Sequence, residues 1–162
     1  MKIDVPPAET LPALREIERC AGRLFADTPY AFVTEHDPTA LEELETGRAA
    51  GTLWTSFDSD DPTGFLLAER IAEGLYIHEI SVDPLHQQKG IARALIETAA
   101  TNADGPIWLR TFTDIAWNRA LYERMGFTIV PDPPASIADE LLAGEAASRL
   151  DPATRCNMRR SA

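Results

Sequence analysis

The sequence predicts an α/β or α+β fold on three observations. Apolar residues recur at helical spacing in segments such as "LPALREIERCAGRLF" and "GIARALIETAA". Short runs rich in β-branched and aromatic residues, such as "GTLWTSF" and "GLYIHEISV", are bounded by glycine and by Asp-Pro punctuation. Between residues 75 and 130 the order is strand, helix, strand, helix, strand. Each helix returns the chain to the end of the sheet where the previous strand began, so neighbouring strands there run parallel.

The elements follow in order. "KIDV" reads as a short first strand. In "LPALREIERCAGRLF", Leu14, Ile17, Ala21 and Leu24 form one apolar helix face. "ADTPYAFVTEHDPT" is an irregular stretch with two prolines, and Phe25, Tyr30, Phe32 and His36 lie in or beside it. "ALEELETGR" is a second helix, with Thr39 or Asp37 as its expected cap. "GTLWTSF" and "GFLLAER" are strands separated by the turn "DSDDPT", and "GLYIHEISV" is the next strand. "GIARALIETAA" is a helix, "PIWLRTF" a strand, and "AWNRALYERM" a helix closed by Gly126. "FTIV" is a strand ended by "PDPP". An extra helix is expected at about 136–149, before a last strand in "TRCNMRR".

The chain has 162 residues and reads as one domain, residues 1–162, with no internal repeat, low-complexity tract or linker. Its net charge of −11 argues against nonspecific nucleic-acid binding, which needs a cationic surface. The same charge is compatible with a cationic substrate. The start "MKIDVPPAET" lacks the apolar core of a signal peptide, and no segment reaches the roughly 20 apolar residues that span a bilayer. Cys20 and Cys156 are far apart without a CxxC spacing, so free thiols in a reducing, cytoplasmic setting are expected. A monomer and a homodimer fit the sequence equally well.

The segment "EISVDPLHQQKGIARALIE" passes from a strand through a polar loop into an amphipathic helix. The first amides of a helix have no carbonyl partner within it and carry the positive end of its dipole. Such a mouth binds phosphate, and a glycine at position 90 lets a ligand come close to the backbone. Ala92 is small, Gln87 and Gln88 carry amide donors, and Lys89 and Arg93 carry charge near the rim. A tight turn is the plainer structural reading of the same glycine. In "WNRALYERMGF", Asn118 and Tyr122 stand four residues apart and share a helix face. Trp117, Leu121 and Met125 line an adjacent stripe, expected to pack into the core. Tyr122 taken alone reads as a partly buried helix tyrosine.

Together the two segments resemble the GCN5-related N-acetyltransferase (GNAT) family. That family's phosphate loop, Gln or Arg, two residues, Gly, one residue, Gly or Ala, stands here as Gln87, Gln88, Lys89, Gly90, Ile91 and Ala92. It follows Val82, Asp83 and Pro84, and the later helix carries Asn118 and Tyr122 before Gly126 and Phe127. The resemblance covers residues 2 to about 130, and the helix at 136–149 is the main departure. It implies a mixed, mostly antiparallel central sheet, with splayed parallel strands in the middle and helices on both faces.

The resemblance also implies an N-acetyltransferase with acetyl-CoA as acyl donor and no metal. Amides of residues 88–92 would hold the pyrophosphate, so Gln87, Gln88, Lys89, Gly90, Ile91, Ala92 and Arg93 form the expected loop site. Backbone groups near Ile80 and Val82 would pair with the pantetheine arm, and Asn118 would contact it. Tyr122 would protonate the departing thiolate; the reference acidities, about 10 for tyrosine and about 8.5 for a thiol, make that transfer mildly uphill but avoid a bare anion.

An amine acceptor must lose a proton before it attacks. A lysine-like ammonium at about pKa 10.4 costs about 4.6 kcal/mol to neutralise at pH 7, so a base or a water chain leading to one is expected. Glu79 is the first candidate and His78 the second; strand alternation sets Glu79 with Ile77 and Ser81, and His78 with Tyr76 and Ile80. A structural hydrogen bond is the alternative role of either. His86 is expected at the surface, and His36 as an exposed loop residue.

In this family the acceptor pocket is formed partly by the segment between the first two helices. Here that includes Phe25, Tyr30 and Phe32, with Phe25 the one expected to plug the core. Asp114, beyond the end of a parallel strand, either attracts an ammonium group or caps the next helix, and the cap is favoured. "RCNMRR" is expected to be an edge-strand device or a dimer contact. The expected acceptor is a primary amine on a small molecule or peptide, acetylated by direct transfer in a ternary complex. A non-catalytic acyl-CoA sensor is the rival class, and the presence of both Tyr122 and Glu79 favours the enzyme. The absence of a Walker lysine and of GxGxxG disfavours other nucleotide-binding folds.

Overall fold

The computed structural model describes residues 1–138 and 150–161. Strands β1 (Lys2–Asp4), β2 (Leu53–Asp58), β3 (Asp61–Ile71), β4 (Gly74–Val82), β5 (Ile107–Phe112), β6 (Thr128–Ile129) and β7 (Arg155–Arg160) form a seven-stranded sheet. Their order is β1-β2-β3-β4-β5-β7-β6. Antiparallel pairing joins β1 to β2, β2 to β3, β5 to β7 and β6 to β7, whereas β4 and β5 are parallel. The helices are α1 (Leu11–Gly22), α2 (Leu41–Ala49), α3 (Ile91–Thr101) and α4 (Ala116–Glu123). This is the mixed, mostly antiparallel sheet with central parallel strands that the resemblance implied. The chain forms two compact units, Met1–Glu69 with Ile77–Asn102, and Arg70–Tyr76 with Ala103–Ala162.

In the first unit, Leu11, Leu14 and Ile17 of α1 and Leu44 of α2 close over Leu53 of β2 and Phe65 and Leu67 of β3. The strand residues alternate, so one face of the sheet receives α1 and α2. Leu14 is fully buried, and truncating such a leucine to alanine costs about 2–5 kcal/mol. Helix α3 buries Ile91, Leu95, Ile96 and Ala99. Its Ile91 meets β3 at Gly64, where an added Cβ would lie 3.1 Å from Ile91 Cγ2 and 2.9 Å from the Ser81 carbonyl oxygen. Glycine there permits the close approach of β3 to the end of β4.

Several expectations for this unit need correction. Leu24 is 49% exposed rather than part of the α1 face, because α1 ends at Gly22 and a 3₁₀ turn at Arg23–Phe25 changes the periodicity. Strand β3 starts at Asp61, inside the expected turn, leaving Ser59 (φ 56°) and Asp60 to reverse the chain. A register irregularity at Ser56/Phe57 accommodates Pro62, and the Ser56 and Thr63 hydroxyls bond at 3.0 Å. The residue capping α2 is Ala40, not Thr39 or Asp37. Thr39 is held elsewhere: its amide donates to both carboxylate oxygens of Glu18 at 3.0 Å, and Arg15 donates to the carbonyls of Thr39 and Pro38. This clasp ties the segment before α2 to α1. Burial pushes the Glu18 carboxyl above the usual carboxylate range, while the Thr39 bonds and Arg15 pull it back.

In the second unit, β4 enters through Leu75 and Tyr76, opposite Ile107 and Trp108 of β5. Alternation on β5 sets Ile107, Leu109 and Thr111 on one face and Trp108, Arg110 and Phe112 on the other. Trp108 clusters with Tyr76 and with Ile137 from the helical residues 135–138. The rest of the expected helix at 136–149 lies outside the described residues. Arg155 lies over the Phe112 ring at 4.6 Å and Arg159 over Trp108 at 5.8 Å. These contacts give the basic run a stacking role on aromatic faces. The run is not an edge strand, because β7 pairs with β5 on one side and β6 on the other.

Candidate functional site

In the first unit, the chain leaves β4 through a tightly bonded turn. The Asp83 amide donates to the Thr63 carbonyl at 3.0 Å, and Asp83 Oδ1 accepts from the Leu85 amide at 2.8 Å. Pro84–His86 form one 3₁₀ turn, which sets His86 half-buried, its Nδ1 3.7 Å from Asp83 Oδ2, rather than at the surface. Gln87 bends back, with Nε2 donating to the Val82 carbonyl at 3.4 Å. Gln88 (φ 62°) and Gly90 (φ 80°) both adopt the left-handed region, and Lys89 between them is exposed.

Gly90 is the residue that opens α3, whose first helical bond runs from the Ala94 amide to the Gly90 carbonyl. The amides of Ile91, Ala92 and Arg93 therefore have no carbonyl within the helix to meet. A Cβ on Gly90 would have nothing within 4 Å, so the approach to these amides is open. Ile91 is buried and anchors the mouth, while Arg93 stands exposed on the rim. A doubly charged diphosphate matches these donors and the positive end of the helix dipole.

On β4, Ser81 Oγ donates to Glu79 Oε1 at 2.7 Å, and Ser81 is only 5% exposed. This bond is the contact expected of residues two apart on one side of a strand. Glu79 is half-buried, as are Ile80 and Val82. His78 is exposed, with Nε2 3.0 Å from Glu69 Oε2. In the segment between α1 and α2, Phe32 is 39% exposed and meets Tyr30 and His36 edge-on, at centroid distances of 6.3 and 5.6 Å. Tyr30 is the buried aromatic there, whereas Phe25, expected to plug the core, is half-buried.

In the second unit, α4 is oriented by a short bond from Thr111 Oγ1 to Asn118 Oδ1, 2.5 Å long. This contact turns the Asn118 side toward β5. Trp117, about 100° away around the helix, is 46% exposed rather than core. Tyr122 is half-buried and meets Phe127 edge-on at 5.9 Å. Gly126, at φ 87°, turns the chain after α4, and the Phe127 amide returns to the Tyr122 carbonyl at 3.1 Å. Asp114 is exposed, and the capping position of α4 is Ile115, one residue later than expected. Cys156 stands opposite Thr111 in the β5–β7 register.

Ser81, Thr111 and Gly64 were not singled out for the site from sequence. For Ser81 the signal was present, because it stands two residues from Glu79. For Thr111 and Gly64 only the folded contacts reveal the role. Among the described residues, no group of three His, Cys, Asp or Glu side chains is arranged to hold a metal. No helix among them is long and apolar enough to cross a membrane.

Residues 11–127 match the model of the "Acetyltransferase (GNAT) family". A mycothiol acetyltransferase of Kocuria rhizophila is 26% identical over 137 residues, 82% of this chain; the chain spans 43% of that relative's length. The fold is similar to that of the PaiA N-acetyltransferase of Thermoplasma acidophilum in complex with coenzyme A, with a TM-score of 0.72 and 13% identity. That match covers 99% of this chain and 98% of the other. The ribosomal-protein-S18-alanine N-acetyltransferase of Escherichia coli matches with a TM-score of 0.66 and 17% identity, over 99% and 92% of the two chains. At these identities the two solved structures establish likeness of fold.

Proposed function

We propose, from the premise that this chain belongs to the GNAT acetyltransferase family, that it moves the acetyl group of acetyl-CoA to a primary amine of a small molecule or peptide. The observation that carries this reading is the helix mouth at Gly90. Its left-handed glycine, with open space where a side chain would stand, leads into amides that have no helical partner. These are the features a diphosphate needs, and they require no metal. Gln88, Lys89, Gly90, Ile91 and Ala92 hold the diphosphate through main-chain N–H groups. Gln87 fixes the loop to the end of β4, and Arg93 adds charge at the rim. Main-chain groups near Ile80 and Val82 pair with the arm of the coenzyme, and Asn118 contacts it.

The chemistry follows from charge. The neutral amine attacks the thioester carbonyl, the carbon–sulfur bond breaks, and the sulfur leaves as an anion. Tyr122 gives that sulfur its hydroxyl proton; the nitrogen sheds its second proton to water, the phenolate recovers one from water, and Glu79 passes the proton it took to solvent, so one proton is released overall. Glu79 takes a proton from the incoming ammonium, directly or through water, and so lowers the cost of about 4.6 kcal/mol at pH 7. Phe32 and Asp114 contribute to the acceptor side, the first by apolar and cation–π contact and the second by charge. Transfer is direct, in a ternary complex.

The test is thiol release from acetyl-CoA over a panel of primary amines, with the acetylated product identified by mass spectrometry. Amine-dependent release supports the reading. Tight acetyl-CoA binding without release for any amine supports the sensor class instead.

A further inference from the structure

The Thr111–Asn118 bond connects the interior of the sheet to the helix that carries Tyr122. Thr111 is 4% exposed on β5, where it pairs with Cys156 of β7, so burial and the strand backbone limit where its hydroxyl can point. The chain between the two residues is also held. The Thr113 amide donates to the Thr154 carbonyl at 2.9 Å, and the Asn118 amide donates to the Ile115 carbonyl at 3.1 Å, with Ile115 itself buried. A carboxamide has two unlike ends, an acceptor oxygen and an NH₂ group with two donors. The Thr111 hydroxyl donates to Oδ1 at 2.5 Å, which fixes the amide's orientation. Nδ2 is then the end turned to other partners, and those must be acceptors.

We propose that Thr111 is a positioning residue for coenzyme binding, which holds Asn118 as a donor to an amide carbonyl of the pantetheine arm. This rests on the preceding assignment of Asn118 to that arm. Thr111 touches no ligand; it acts by preventing the carboxamide from flipping or rotating. Without the hydroxyl, Asn118 presents either end, and the arm loses a preset donor while the diphosphate keeps its own site at Gly90.

Calorimetric titration of the full chain with acetyl-CoA, and with 3′-phosphoadenosine 5′-diphosphate, which lacks the arm, tests this. Thr111→Val should weaken acetyl-CoA binding about 3- to 10-fold, the range for one lost hydrogen bond, and leave the armless ligand unchanged. Thr111→Ser should restore wild-type affinity, and in an Asn118→Ala background Thr111→Val should have no further effect. Thr111→Ala serves if the valine variant does not fold by its thermal transition. The proposal is overturned if the hydroxyl-free variants bind acetyl-CoA normally, lose both ligands equally, or remain impaired relative to Asn118→Ala alone. Wild-type protein that binds neither ligand removes the coenzyme reading itself. Wild-type binding with an unmoved Thr111→Val removes only this proposal.

Discussion

Ser81 donates its hydroxyl proton to Glu79 Oε1 at 2.7 Å, and Ser81 is almost fully enclosed. The bond holds a carboxylate on the strand whose main chain is proposed to flank the coenzyme. If Glu79 takes the amine's proton, Glu79→Gln removes the acceptor, and turnover then follows the fraction of amine already neutral in solution. The pH–rate profile with a reactive amine from the panel should move to higher pH. A profile superimposable on that of the wild type would transfer the role to His78 or to solvent.

Tyr122→Phe removes one oxygen from a ring packed edge-on against Phe127 and leaves that packing in place. Turnover should fall about 100- to 1000-fold, as expected for a lost general acid, while acetyl-CoA affinity stays within about twofold. Stopped turnover measurements beside calorimetry separate the two effects, and an unchanged rate would remove Tyr122 from the chemistry.

Cys156 stands opposite Thr111, next to the proposed arm contact, so its thiol offers a way to test direct transfer. Cys156→Ser should retain turnover within about twofold, because no acyl-enzyme is required. An acetyl group found on Cys156 by mass spectrometry, with loss of activity in the serine variant, would indicate a two-step route.

Burial raises the Glu18 carboxyl above its ordinary range, so the folded state binds this proton more tightly than the unfolded chain does. The associated stability is fully present below the unfolded value and is lost as pH rises through the higher folded value. Glu18→Gln should flatten this part of the stability–pH curve, measured by urea unfolding from weakly acidic to neutral pH. An identical slope in the two proteins would show that Glu18 is not responsible.

Much of the fold and of the candidate site was legible because its signals are local. Gly90 announces itself between a strand and an amphipathic helix, and Asn118 and Tyr122 share a helix face by spacing alone. The pairing of Glu79 with Ser81 follows from strand alternation. What was illegible depends on distant partners. The clasp of Arg15 and Glu18 on Thr39 joins residues more than 20 positions apart, and it displaces Thr39 from the capping role its side chain suggests. Periodicity set Trp117, Leu121 and Met125 in one core-facing stripe. Met125 is buried, but Trp117 is 46% exposed while Asn118 beside it bonds to Thr111 of β5, a contact that spacing along the helix does not reveal. The basic run in β7 read as an edge because the sequence shows the strand in "FTIV" but not that it pairs beside β7.

Gly90→Val adds a β-branched side chain at φ 80°, where such residues are strained by about 1–3 kcal/mol, and fills the open approach to the α3 amides. Acetyl-CoA affinity should drop by more than tenfold, with Gly90→Ala intermediate. Equal affinity in both variants and the wild type would mean that the diphosphate lies elsewhere.

The decisive observation is a crystal structure of the wild-type chain soaked with coenzyme A. Diphosphate oxygens within hydrogen-bonding distance of the main-chain N–H groups of residues 88–92 are the predicted result. A diphosphate bound away from the start of α3, with those N–H groups facing only water, would contradict it.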